Sequence, residues 1–153
     1  MKQFKWKLQR LLDVRAKQEQ LKKIELMEIT EKLSAVKVEL MMQKIILRDM
    51  LDSLSKERPD ARLAKQEIFM ASSARNNEII KNLEIKQKDI EAQQKEKIAE
   101  VLKLRQLRES LEKLREDARI SFIKEQEKQE QKMIDEATTS KFARNLLSSN
   151  LAI

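Results

Sequence analysis

The ionisable side chains of this chain are almost all carboxylates and cations: 26 Asp and Glu stand against 33 Lys and Arg, with no His and no Cys. Without imidazole or thiol there is no imidazole base, no thiol nucleophile and no ordinary zinc site. Gly is absent too, and loops that cradle phosphates need it so that the backbone can come close. Carboxylates abound, but acid–base catalysis needs a pocket that drives their pKa values apart, and on a solvated helix they stay ionised. The sequence is therefore read as a non-enzyme without cofactor or metal. Binding is what remains, and two clusters could do it. One is basic and aromatic: Phe4, Lys5, Trp6, Lys7, Arg10 and Arg15. The other is apolar: Val38, Met41, Met42 and Ile45.

Both must be held by helices. Leu26, Ile29, Leu33, Val36, Leu40, Gln43, Leu47, Met50 and Leu54 alternate by three and four. A stripe repeating every 3.5 residues stays on one side of a helix only if that helix supercoils about another. Gln43 is the single polar member and is suited to fixing register. The rest of the composition agrees: 39% of residues are charged, 3% are aromatic, and Pro59 is the only proline. That is the make-up of long helices.

Pro59 lacks an amide and disfavours helical geometry at Arg58, which ends the first helix, and Asp60 is suited to cap the next. The expected fold is all-α: two long helices forming an antiparallel coiled-coil hairpin over residues 1–137, then a flexible tail over 138–153. Helix one is placed at about 7–58, the break at 58–61 and helix two at about 62–137. Folding back at about residue 60 sets Val36 and Leu40 opposite Ile80–Leu83. Ser72-Ser73 and Asn76-Asn77 suggest a bend, since they are poor helix formers. The polar stretch 86–97 should loosen the coil, and Leu104, Leu107, Leu111, Leu114 and Ala118 should tighten it again.

The apolar cluster Val38–Ile45 sits opposite the seam, and a two-helix hairpin cannot bury both faces of one helix. This leaves partner docking or homo-oligomer packing, and Met adapts to varied surfaces. At the other cluster, Phe4 shares a helical face with Leu8, Leu11 and Leu12, while Trp6 points nearly opposite. Either the two aromatics clamp the end of the coiled coil, or they form a basic docking tip. A membrane-surface role is third, because the apolar face is short. Residues 1–25 hold eight Lys or Arg against three acids, most of the net +7. No aromatic platform or groove-reading motif accompanies this charge, so no nucleic-acid partner is expected. No apolar run approaches the roughly 20 residues of a membrane span. Zero Cys fits a reducing compartment.

The opening Phe4-Lys5-Trp6-Lys7-Leu8-Gln9-Arg10-Leu11-Leu12-Asp13-Val14-Arg15 resembles that of the bacterial flagellar export protein FliJ family, which often begins aromatic-x-aromatic-x-Leu-Gln-x-Leu-Leu-x-x-Arg. Lys132-Met133-Ile134-Asp135-Glu136-Ala137 is similar to that family's closing segment. The resemblance, which extends to the YscO-type injectisome stalk, implies an antiparallel coiled coil like the central stalk of rotary ATP synthases. It further implies a cytoplasmic protein, peripheral to the inner face of the membrane at the flagellar basal body. The implied partners are the hexameric export ATPase, the large cytoplasmic subunit of the export gate, and export chaperones. The ATPase contact would fall on Phe4, Lys5, Trp6, Lys7, Arg10 and Arg15. The family's gate surface uses an aromatic-x-x-x-Leu pair on helix two, matched here by Ile79 and Leu83 with Ile in the aromatic's place. Val38, Met41, Met42 and Ile45 would lie at the same level. The alternative reading is a homo-oligomeric coiled-coil scaffold without an ATPase.

Overall fold

A computed structural model describes residues 2–151. They form two helices, α1 (Gln9–Ser55) and α2 (Pro59–Leu151), packed antiparallel, with no strand among the described residues. None of these helices is long and apolar enough to cross a membrane. Contacts divide the chain into two units. Lys17–Arg105 form one, and the residues up to Ala16 together with those from Gln106 onward form the other.

The unit Lys17–Arg105 contains the turn. Helix α1 stops at Ser55, whose hydroxyl donates to the Asp52 carbonyl at 2.8 Å, and the Lys56 amide reaches the same carbonyl at 3.2 Å. Pro59 then opens α2 as its first residue, where its missing amide and fixed φ are no handicap. The Arg58 carbonyl accepts from the amides of Ala61 and Arg62 at 3.2 and 3.0 Å. Asp60 is not the cap; it lies within the first turn, where its charge still favours the positive end of the helix dipole. Arg62 donates to the Ser55 carbonyl at 3.1 Å, and Lys65 bonds Glu57 at 2.7 Å. The first of these satisfies a carbonyl at the loose end of α1 from the facing helix, and the second ties the turn to α2. The turn needs no glycine because no described residue has positive φ.

All nine members of the stripe from Leu26 to Leu54 are buried or half-buried. Leu33, Val36 and Leu40 pack with Ile80, Leu83 and Ile90 as the core of this unit, flanked by Ile29, Leu47 and Ile79. Full burial of each such side chain contributes roughly 1.5–3 kcal/mol. Thr30 lies across from Gln94, with a 3.3 Å bond, and Lys44 across from Glu84 at 4.0 Å. Val36 and Leu40 are consequently level with the part of α2 between Leu83 and Ile90, farther along than the Ile80–Leu83 expected from folding at residue 60.

Helix α2 passes through Ser72-Ser73 and Asn76-Asn77 without a break. Ser73 donates to the Met70 carbonyl at 3.0 Å, so its hydroxyl is satisfied inside the helix instead of disrupting it. Nor does the coil lose its seam over 86–97. There Gln87, Ile90, Gln94 and Lys97 occupy it, while Ile85 is exposed.

Polar residues also extend the α1 stripe backwards. Glu19 is 3% exposed and pairs with Lys23 at 3.1 Å. Glu25 binds Lys97 at 2.8 Å and Lys22 at 3.3 Å, and Glu100 binds Lys22 at 3.2 Å and Lys97 at 3.3 Å. The four charges form a closed ring across the two helices.

In the second unit, residues 2–8 precede the helix instead of belonging to it. The Lys2 carbonyl accepts from Gln126 at 3.3 Å. Leu12 is buried, and Gln9 accepts from Arg115 at 2.8 Å. Leu104, in the first unit, and Arg108, Leu111 and Ala118, in this one, are half-buried, whereas Leu107 and Leu114 are exposed and stand beside the seam. The expected tail is helical as far as Leu151, and residues 152 and 153 lie outside the described residues. From 127 to 151 every residue is exposed. Thr139, Ser148 and Ser149 return their hydroxyls to the carbonyls of Asp135, Asn145 and Leu146 at 2.8–3.0 Å. With no Pro or Gly to interrupt it, nothing in this segment ends the helix.

The ring makes stability depend on pH with a definite sign. Hydrogen bonds from Lys97 and then Lys22 hold the Glu25 carboxyl below its ordinary range, and bonds from Lys22 and then Lys97 do the same for Glu100. Their contribution is complete above the ordinary glutamate value of 4.5 and is lost as pH falls through the lower folded values. Lys97 is shifted upward, first by Glu25, so its share is complete below the ordinary lysine value and is lost as pH rises from there through the raised folded value. The melting temperature should therefore fall more steeply between about pH 6 and about pH 3 in the native chain than in Glu25→Gln/Glu100→Gln. Because the ring is solvent-exposed, about 0.5 M salt should narrow the difference. Parallel pH profiles would contradict this account.

Candidate functional site

The basic-aromatic cluster belongs to the unit that pairs the chain's opening with the later part of α2. Along residues 4–7 exposure alternates: Phe4 and Trp6 are half-buried, and Lys5 and Lys7 are exposed. The Phe4 and Phe122 rings lie 5.4 Å apart at 51°, a tilted arrangement that suits their quadrupoles. Phe4 and Trp6 share a shallow groove with Ala118, Ser121 and Phe122. Of the two readings of these aromatics, the geometry favours the clamp: Phe4 packs on Phe122 of α2 and Trp6 is half-buried in the same groove, with Lys5 and Lys7 exposed at its rim. The helical face expected to join Phe4 to Leu11 and Leu12 does not form at Phe4, because the helix begins at Gln9.

Arg10 is exposed with Lys5 and Lys7, but Arg15 is not of their kind. It is half-buried on the seam, three residues after Leu12 and four before Glu19. The structure thus offers Lys5, Lys7 and Arg10 as the outward basic group.

The apolar cluster is in the other unit. Val38, Met41, Met42 and Ile45 are 54, 64, 59 and 47% exposed on the face of α1 opposite its seam. Ile79 and Leu83 do not join them. Leu83 is buried in the core and Ile79 packs against it, so neither presents a surface while the hairpin is closed. A second signal marks this face. Between 32 and 47 the charged residues of α1 are Lys32, Lys37, Glu39 and Lys44. All four fall at the heptad positions that flank the seam, and none falls on the outward face. A solvated coiled coil normally carries its charges outward.

Sequence reasoning missed Glu19 and Asn76. Both are buried, and the Asn76 side-chain amide nitrogen has no hydrogen-bond partner. The alternating step, carried backwards from Leu26 through 22, 19, 15 and 12, would have found Glu19. Four residues back from Ile80 would have found Asn76. Among the described residues no group of three or more acidic side chains is placed to hold a metal ion. What both surfaces offer chemically is contact: exposed cations at the rim of a shallow groove in one, apolar side chains without a cover in the other.

Trp6 is the only tryptophan, so its emission reports the clamp directly. Phe122→Ala should red-shift that emission toward an exposed indole while helicity is retained, since a ring pair contributes about 0.5–1.5 kcal/mol. An unshifted spectrum would contradict the packing described. No protein-family model, curated protein or solved structure matches the chain, so the resemblance rests on its opening and closing residues alone.

Proposed function

We propose that this chain is a non-catalytic stalk and chaperone-escort component of the flagellar type III export apparatus. In this reading it binds the hexameric export ATPase, promotes assembly of the ring, and contacts the export gate. It works in the cytoplasm, held at the inner face of the membrane through those partners. The observation that carries the reading is the anchoring of the family-like opening. Phe4 packs on Phe122 of α2 with Trp6 half-buried in the same groove, and Lys5, Lys7 and Arg10 are exposed beside them. An ordered cluster of cations steers and orients an acidic partner better than a free tail, because less freedom is lost on binding.

The gate contact is assigned to Val38, Met41, Met42 and Ile45. A second reading, the homo-oligomeric scaffold, is favoured by the same uncovered face. Light scattering separates the two: a monomer supports the stalk and a stable dimer the scaffold.

Lys5→Glu/Lys7→Glu/Arg10→Glu should abolish stimulation of the cognate export ATPase and leave helicity and melting unchanged. Arg15 is kept native because it belongs to the seam. Undiminished stimulation by the triple variant would refute the assignment.

A further inference from the structure

The uncharged outward face of α1 has a chemically distinct edge. Lys37, Lys44 and Arg48 line a groove together with Met41 and Ile45. Lys37 and Lys44 are one heptad apart, and Arg48 follows four residues later. Among the described residues Lys37 and Arg48 form no ion pair, and Lys44 reaches Glu84 only at 4.0 Å. Three cations thus border one side of the apolar stripe. The opposite edge is different: it carries Lys32 and Glu39, of opposite sign, and then Ile46 and Asp49.

We infer that this face of α1 binds an acidic amphipathic helix of another protein, whose apolar stripe covers Val38, Met41, Met42 and Ile45 and whose carboxylates run along Lys37, Lys44 and Arg48. Helix-on-helix docking uses anchors at such spacings, and the charge at the rim sets orientation and specificity. A second copy of the chain fits poorly. Antiparallel pairing about a two-fold axis sets the cationic edge against itself. Parallel pairing sets three cations against an edge of mixed sign, where Lys32 offsets Glu39 and Asp49. An anionic bilayer fits poorly as well, since a flat surface meets both edges and would press Glu39 against its own charge. The inference rests on the assignment of Val38–Ile45 as a partner surface, and it adds the chemistry of what lies on it.

The probes are fluorescein-labelled synthetic helical peptides of about 20 residues. Each has a Leu stripe, edged with Glu in one and with Lys in the other, and binding to the full chain is read by anisotropy. The Glu-edged peptide should bind about tenfold more tightly, the scale of three exposed ion pairs acting together. Its advantage should shrink as salt is raised from about 50 to about 500 mM. Met42→Asp should abolish binding of both peptides with helicity intact. Lys37→Glu/Lys44→Glu/Arg48→Glu should reverse the preference, an outcome that misfolding cannot mimic. Equal affinities, or a preference unchanged in the triple variant, would overturn the inference. So would a dimer in sedimentation that Met42→Asp dissolves, or stronger binding to phosphatidylserine vesicles than to the Glu-edged peptide. Should Met42→Asp abolish binding to the cognate export gate while neither peptide discriminates, the surface assignment stands and the acidic-helix inference alone fails.

Discussion

Leu33, Val36 and Leu40 leave water against Ile80, Leu83 and Ile90, residues that follow them by several tens of positions in the same chain. That one contact makes the other features necessary. The chain must reverse between them, and it does so at Pro59 with ordinary helical and extended geometry instead of glycine. Once reversed, α1 has one face that is covered and one that is not. The difference between those two faces is what turns a structural element into a candidate binding element.

Apolar contact does not run the full length of the pairing. Where the stripe runs short of Leu and Ile, the ring formed by Glu25, Lys97, Lys22 and Glu100 takes over. Exposed ion pairs contribute little individually, and a closed ring offers more than separate pairs because each charge serves two partners. Glu19, almost fully enclosed beside Lys23, does not stabilise in the manner of a leucine, and a buried charge of this kind is better suited to fixing register. Asn76 is a weak point, because its buried amide nitrogen has no partner and the group was desolvated without a compensating bond. It lies near the turn, where α2 carries Ser72, Ser73 and Asn77 in place of larger apolar residues.

Much of the architecture was legible from spacing. The nine-member stripe and a break beside Pro59 needed only the 3.5-residue repeat and the geometry of proline. The break falls at 56–58 and not at the expected 58–61, because Pro59 is tolerated as the first residue of α2. What stayed hidden was hidden for physical reasons. Arg15, Glu19 and Lys22 continue the seam, but their polarity reads as surface. Leu107 and Leu114 look like core by residue type, yet the phase set by Val101, Leu104, Leu111 and Ala118 places them beside it. The helix over 138–151 depends on hydroxyls that bond back to its own carbonyls, and Ser and Thr can equally bond elsewhere. At the candidate surfaces, the outward position of Val38, Met41, Met42 and Ile45 followed from the heptad phase. The burial of Ile79 and Leu83 followed from the same phase once the seam of α2 was known. The anchoring of Phe4 on Phe122 could not have been foreseen, because it depends on a non-helical segment crossing to a residue more than a hundred positions away.

A hairpin requires the two helices of the core unit to belong to one molecule. Pulsed electron paramagnetic resonance on spin labels attached through Thr30→Cys and Gln94→Cys tests this directly, since the chain has no other cysteine. A single distance of roughly 10–20 Å is expected, the helix–helix spacing plus the label arms, and it should persist when labelled chain is diluted with unlabelled chain. A short distance that disappears on dilution, or a longer one from the outset, would show that α1 pairs with α2 of a neighbour and would contradict the hairpin.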